Sequence, residues 1–126
     1  MNNTFFRIAT IYFIIGIAMG IGMAATDDFT LRPVHAHVNL LGWVSLALFA
    51  LFYKAHPEAA RTRLAKVHFW AYNVGLPVQM IALALFVKGN TAVLPVLGIS
   101  SIAIAAGALC FVATVWRHTA NRAAAF

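Results

Sequence analysis

The chain has 126 residues, of which 63% are hydrophobic and only 10% charged, with a mean hydropathy of +0.86. A water-soluble domain of this length needs a polar shell and a composition nearer half apolar, so that class is excluded. The net charge of +6 would suit a nucleic-acid partner, but the bases gather between and beyond the apolar runs, which excludes that reading too.

Four apolar runs, over residues 5–25, 35–53, 67–87 and 92–116, carry most of the chain. Each is long enough to cross a hydrocarbon core of roughly 30 Å at about 1.5 Å per residue. Short polar connections join them, so the whole chain reads as one all-α, integral membrane four-helix bundle.

The first run, with Arg7 ahead of its uninterrupted apolar stretch, could be read as a signal peptide ending near Met23-Ala24-Ala25, but it is long for that purpose and reads as a retained helix. Within it Gly16 and Gly20, with Gly22 nearby, let helix backbones approach closely. Packing within the bundle is the expected use, and a contact between subunits the alternative. Asp27, Asp28 and Thr30 form a polar loop, and Pro33 suits the first turn of the next helix. The second run holds His35 and His37, then Asn39, Gly42, Trp43 and Ser45. Gly42 beside Trp43 makes a flat patch that suits either a planar cofactor or ordinary packing.

The loop over 54–66 contains His56, Pro57, Glu58 and most of the bases. The third run opens with Val67-His68-Phe69-Trp70 and contains Asn73, Gly75, Gln79 and Pro77, which should bend it. Lys88-Gly89-Asn90 makes a tight turn, and the fourth run ends at Trp116-Arg117-His118. Its Cys110, the single cysteine, sits in apolar surroundings that make it inert.

Arg7, Lys54, Arg61, Arg63, Lys66, Arg117 and Arg122 fall on one side of such a bundle, and Arg32 and Lys88 on the other. Seven against two is a positive-inside asymmetry, which places both termini in the cytoplasm. A bacterial inner membrane is the expected location.

Of the five histidines, His56 and His118 fall at the basic side and read as solvated or interfacial. His68 reads as a structural hydrogen-bonding group. His35 and His37 differ, because an ionisable pair in a membrane helix is costly and usually functional. Imidazole is a ligand for haem iron, copper and zinc. At about 100° per residue, rings two positions apart diverge by about 200°, so one helix cannot readily clamp one metal with both. The pair serves two different sites, or makes interhelical hydrogen bonds on both flanks.

The stretch His35-Ala36-His37-Val38-Asn39-Leu40-Leu41-Gly42-Trp43-Val44 resembles the tenth helix of the catalytic subunit of haem–copper oxidases and nitric oxide reductases. The likeness runs on through Phe52-Tyr53 and Pro57, and then through Leu64-Ala65-Lys66-Val67-His68-Phe69-Trp70 and Gly75 to the eleventh helix. It covers residues 33–85, about two helices of four. The resemblance implies that His35 and His37 are haem ligands, the first for the high-spin and the second for the low-spin haem. The copper-ligand helix and modified tyrosine of that family have no counterpart here, and His56-Pro57-Glu58 falls in a loop, which argues against oxygen reduction.

The family subunit is similar to three four-helix units about a pseudo-threefold axis, and this chain to one third of it. A homotrimer would rebuild that arrangement, as closed cyclic symmetry does for one repeated interface. His35 of one protomer would then face His37 of the next across a haem b, with Arg32 and Lys88 pairing the propionates. The expected role is electron transfer or the binding of a diatomic gas (oxygen or nitric oxide). The alternatives are a copper- or zinc-binding accessory or assembly protein, and a purely structural small subunit.

Overall fold

The computed structural model describes residues 1–123, with side chains to residue 120, so Arg122 of the basic tally lies outside the described side chains. Four long helices make up the chain: α1 (Asn2–Thr26), α2 (Arg32–Ala55), α3 (Arg63–Val87) and α4 (Leu94–Ala123). Among the described residues there is no strand. All four helices are long and apolar enough to cross a membrane. The first three helices start earlier than their apolar runs, because hydropathy marks what tolerates hydrocarbon while backbone hydrogen bonding continues into charged flanks such as Arg63 and Lys66.

The ends of α3 show why it starts and stops where it does. Thr62 caps its start, with Oγ1 accepting from the Ala65 amide at 3.1 Å. At its other end the Asn90 amide reaches back to the Leu85 carbonyl at 3.0 Å, and the Gly89 amide to Phe86 at 2.9 Å. That pair of bonds is a Schellman motif, and it requires the left-handed φ of 99° at Gly89. Gly89→Ala should therefore cost about 1 kcal/mol. The check is a lower Tm by circular dichroism of the detergent-purified protein, with helicity otherwise unchanged.

Pro77 lies inside α3 without ending it. Lacking an N–H, it leaves the Asn73 carbonyl without its ordinary helical donor.

The bundle is two antiparallel hairpins, α1 on α2 and α3 on α4, meeting chiefly through α2 and α3. Both termini and the α2–α3 loop therefore share one end, and Asp28 and Gly89 mark the other. At the terminal end the hairpins are joined by aromatic rings. Phe49 lies 4.4 Å from His68, 4.5 Å from Phe111 and 5.0 Å from Tyr72, measured between ring centroids. Phe5 of α1 stacks on Tyr53, closing this cluster. Such ring pairs add about 0.5–1.5 kcal/mol each beyond the area they bury.

Away from this cluster the surface is apolar, with Ile14, Ile99 and Ile102 exposed by 63%, 69% and 71%. A surface of that kind suits hydrocarbon rather than water.

The α1–α2 contact depends on small residues. A Cβ on Gly16 would lie 2.5 Å from the Asn39 amide oxygen, and one on Gly20 would lie 3.3 Å from His35 Cε1. A Cβ on Gly42 would lie 2.5 Å from Cγ of Tyr12. The Gly16–Gly20 pair thus serves packing within the bundle, as expected. The flat patch at Gly42 is filled by the Tyr12 ring, and Trp43 packs on Phe13 at 4.8 Å, so ordinary packing accounts for both.

Helix α2 is not uniform. Over Val38–Val44 it widens into a π-helical turn, just below the histidine pair. The Ser45 amide donates to the Leu40 carbonyl, five residues back, and the Leu41 carbonyl instead accepts from Tyr72 Oη of α3 at 3.2 Å. Ser45 Oγ also donates to Leu40, at 2.8 Å. A wide turn of this sort often sits beside a functional site.

Candidate functional site

Helix α2 begins at Arg32, with Pro33 in its first turn, so His35 and His37 lie within its first two turns at the Asp28 end of the bundle. Both rings are half-buried. They diverge as the spacing requires. His35 packs across Gly20 of α1, while His37 lines a shallow cavity of about 170 Å³ with Ala36, Leu40 and Leu41.

The hydrogen bonds of the two rings are informative. His37 Nδ1 lies 2.7 Å from the Pro33 carbonyl of its own helix. A carbonyl only accepts, so Nδ1 carries the proton and the neutral ring keeps its lone pair on Nε2. Fixing one ring nitrogen in this way is how proteins orient a histidine for metal ligation through the other. His35 is held more loosely. The Asn39 amide nitrogen donates to the His35 carbonyl at 2.9 Å and approaches the ring nitrogens only at 3.3 and 3.5 Å. Among the described residues, neither ring hydrogen-bonds to another helix of the same chain.

Arg32 and Lys88 lie at the same end of the bundle, and both are exposed. Arg32 sits over the Phe29 ring, 5.2 Å from its centroid. Lys88 lines a cavity of about 300 Å³ with Met19, Met23, Asp28 and Thr30. Asp28 accepts from the Thr30 hydroxyl at 2.6 Å and from its amide at 3.0 Å, and these bonds hold its carboxyl below the usual carboxylate range. The end that carries the histidine pair thus has two exposed cations and two acidic residues, Asp27 and Asp28, of which Asp28 is engaged locally.

Among the described residues, no three of the types His, Cys, Asp and Glu converge. A four-ligand zinc cage cannot be built from them inside one chain. The donor set suits a metal centre with two axial imidazoles, provided that a second copy supplies one of them. Each ring then takes a different partner, which removes the difficulty of their divergence.

The other histidines turn inward or back on their own helices. His56 Nδ1 lies 3.2 Å from the Phe52 carbonyl, and His118 Nδ1 lies 2.8 Å from that of Thr114. His68 is fully buried beneath Phe5, Phe49 and Phe111, which leaves no face for a porphyrin. Its Nδ1 meets Tyr53 Oη of α2 at 2.9 Å, the interhelical bond expected of it. Tyr53→Phe should cost about 1–2 kcal/mol, because it leaves a second ring nitrogen of His68 unpaired beside the partnerless Nε2. Thermal unfolding of the variant checks this, and His68→Leu in the same background should recover part of the loss.

Gln79 on α3 donates to Ser101 Oγ of α4 at 2.9 Å and holds that hairpin together. Asn73 donates to the Phe69 carbonyl of its own helix at 2.8 Å. Tyr12 and Tyr72, which contact the wide turn of α2, were not legible as site residues. A lone tyrosine in an apolar run carries no spacing signal.

Over residues 1–116 the chain matches the family described as "Protein of unknown function (DUF2871)", and it belongs to that family. No curated protein and no solved structure matches it.

Proposed function

We propose that this member of the family is a membrane haem protein, a homotrimer in which His37 of one protomer and His35 of the next hold a haem b. The observation that carries this reading is the bond from His37 Nδ1 to the Pro33 carbonyl, which leaves the Nε2 lone pair free beside an open cavity. The likeness of residues 33–85 to the oxidase catalytic subunit supplies the haem, and Arg32 and Lys88 are the cations at hand for its propionates. Haem held this way supplies a one-electron couple, and filling both axial positions favours electron transfer over gas binding.

In this reading the four helices span a bacterial inner membrane. The basic excess at the terminal end supports an orientation with both termini in the cytoplasm and the histidine pair near the outer face. The exposed ridge of Leu40, Val44, Leu48 and Leu51 on α2 is the apolar surface on which a neighbouring protomer packs.

A pyridine haemochrome assay and a reduced-minus-oxidised spectrum of the purified protein test the proposal. Haem b bands that do not shift with carbon monoxide are expected. Protein free of haem but carrying copper or zinc by elemental analysis would favour the metal-binding accessory reading instead.

A further inference from the structure

A second surface lies away from the histidine pair, on the α3–α4 hairpin. A groove of about 400 Å³ runs between these two helices, with Trp70, Val74, Gly75 and Val78 on one wall and Ile99 and Ala103 on the other. The Ser100 hydroxyl, on the second wall, already donates to the Leu97 carbonyl at 3.0 Å. Beyond Trp70 the groove therefore offers an occupant apolar contact alone. From Trp70 to Val78 it runs about 12 Å along the helix axis, most of the roughly 15 Å that one leaflet contributes to a hydrocarbon core. An acyl chain matches both its chemistry and its length.

The end of the groove decides which lipid supplies that chain. Arg63, Val67, Trp70, Val74 and Val78 follow one another at spacings of three or four and all are exposed, so they form one ridge that leads from the groove to a guanidinium. Lys66, one turn before Trp70, is exposed as well. On the opposite wall Arg117 follows Ile99 by eighteen residues, about five full turns, which returns it to the same side of α4. Trp70, 66% exposed, stands between the bases and the groove, as an aromatic ring does at headgroup depth. Glu58 is the one acidic residue of the sequence at that end of the bundle, so the bases there exceed what the chain can neutralise.

We infer that the α3–α4 groove holds one acyl chain of an anionic phospholipid, from the leaflet at the terminal end, with its phosphodiester among Arg63, Lys66 and Arg117. A zwitterionic lipid brings its own cation to that place and gains less. A second copy inserted in the same direction would set its own basic end against these side chains, which disfavours it as the occupant. The inference needs the helices to span a membrane, but it needs neither the haem nor a particular face for the termini.

The test is native mass spectrometry of the full-length, detergent-purified protein titrated with phosphatidylglycerol, or with phosphatidylcholine of the same acyl chains. One phosphatidylglycerol per chain is expected, bound about tenfold more tightly than phosphatidylcholine. The double variant Arg63→Gln, Lys66→Gln should lose that preference. Val74→Trp, which fills the groove and leaves the bases in place, should weaken phosphatidylglycerol binding about tenfold. Arg7→Gln with Lys54→Gln removes two bases from the same end but from other helices. It should bind as wild type does, which separates the groove from a diffuse effect of charge. His37→Ala should also bind as wild type, which separates it from the haem site. Unchanged helicity verifies that each variant has folded.

Equal affinity for the two lipids, or an equal loss of preference in the two double variants, overturns the inference. So does undiminished binding in Val74→Trp, or a groove closed by a second copy, read as disulfide-linked dimers of Val78→Cys, Cys110→Ser protein that phosphatidylglycerol does not suppress.

Discussion

Purified His37→Ala protein should contain almost no haem, whereas wild type should show the bands of a six-coordinate haem b. The His37 ring is held in the ligating tautomer by the Pro33 carbonyl, and no other side chain at that position replaces a lone pair lost with the imidazole. His35→Ala should behave differently in degree. The His35 ring is held only by long approaches from Asn39, and a haem that keeps His37 on one side can persist in part as a five-coordinate centre. Such a centre has an open position, so this variant alone should shift its spectrum with carbon monoxide. Haem content is read by pyridine haemochrome per mole of protein. Full haem in both variants would remove the histidine pair from the proposal.

Gly42→Ala should be the most damaging single methyl that can be added to the α1–α2 hairpin, lowering stability by about 1–3 kcal/mol. The new Cβ would lie 2.5 Å from Cγ, 2.7 Å from Cδ1 and 2.8 Å from Cβ of Tyr12. These atoms are the root of the tyrosine side chain, so no rotation of its far end relieves the contact, and the helices must separate. Gly16→Ala makes an instructive contrast. Its Cβ would meet the amide of Asn39, the far end of a flexible side chain, which can swing away. That movement breaks the bond from Asn39 to the His35 carbonyl, so Gly16→Ala should disturb the histidine pair more than it disturbs the fold. Thermal unfolding and haem content, measured side by side, separate the two effects. Tyr12→Ala in the Gly42→Ala background should recover much of the lost stability.

The spans were legible because hydrocarbon imposes a long apolar run on any helix that crosses it, and the residues between the runs are too few and too polar to hide the joints. The helix starts at Asn2, Arg32 and Arg63 were not, since hydropathy falls at the charged flanks while the helical hydrogen bonds go on. At the candidate site, the divergence of His35 and His37 follows from helical geometry alone and holds in the structure. Which nitrogen of His37 is committed was not legible, because that depends on the approach of a particular backbone carbonyl. The buried pair of Tyr53 and His68, fifteen positions apart across a loop, was half visible. A histidine entering a membrane helix needs a partner, but sequence does not say which of the tyrosines provides it.

The wide turn at Val38–Val44 has a consequence for how α2 evolves. A π turn holds about one residue more than the α turn it replaces, so the segments on either side keep separate angular registers. Deleting one residue between Val38 and Val44 would restore a regular helix with the histidine pair aimed as before, whereas winding the same residues into a regular helix would rotate the pair by about 100° relative to Phe49 and Tyr53 below it. The turn acts as a phase adjuster, letting the aromatic half stay in step with α3 while the ligand-bearing half is aimed on its own. Tyr72, which caps the carbonyl the turn sets free, is what locks that phase.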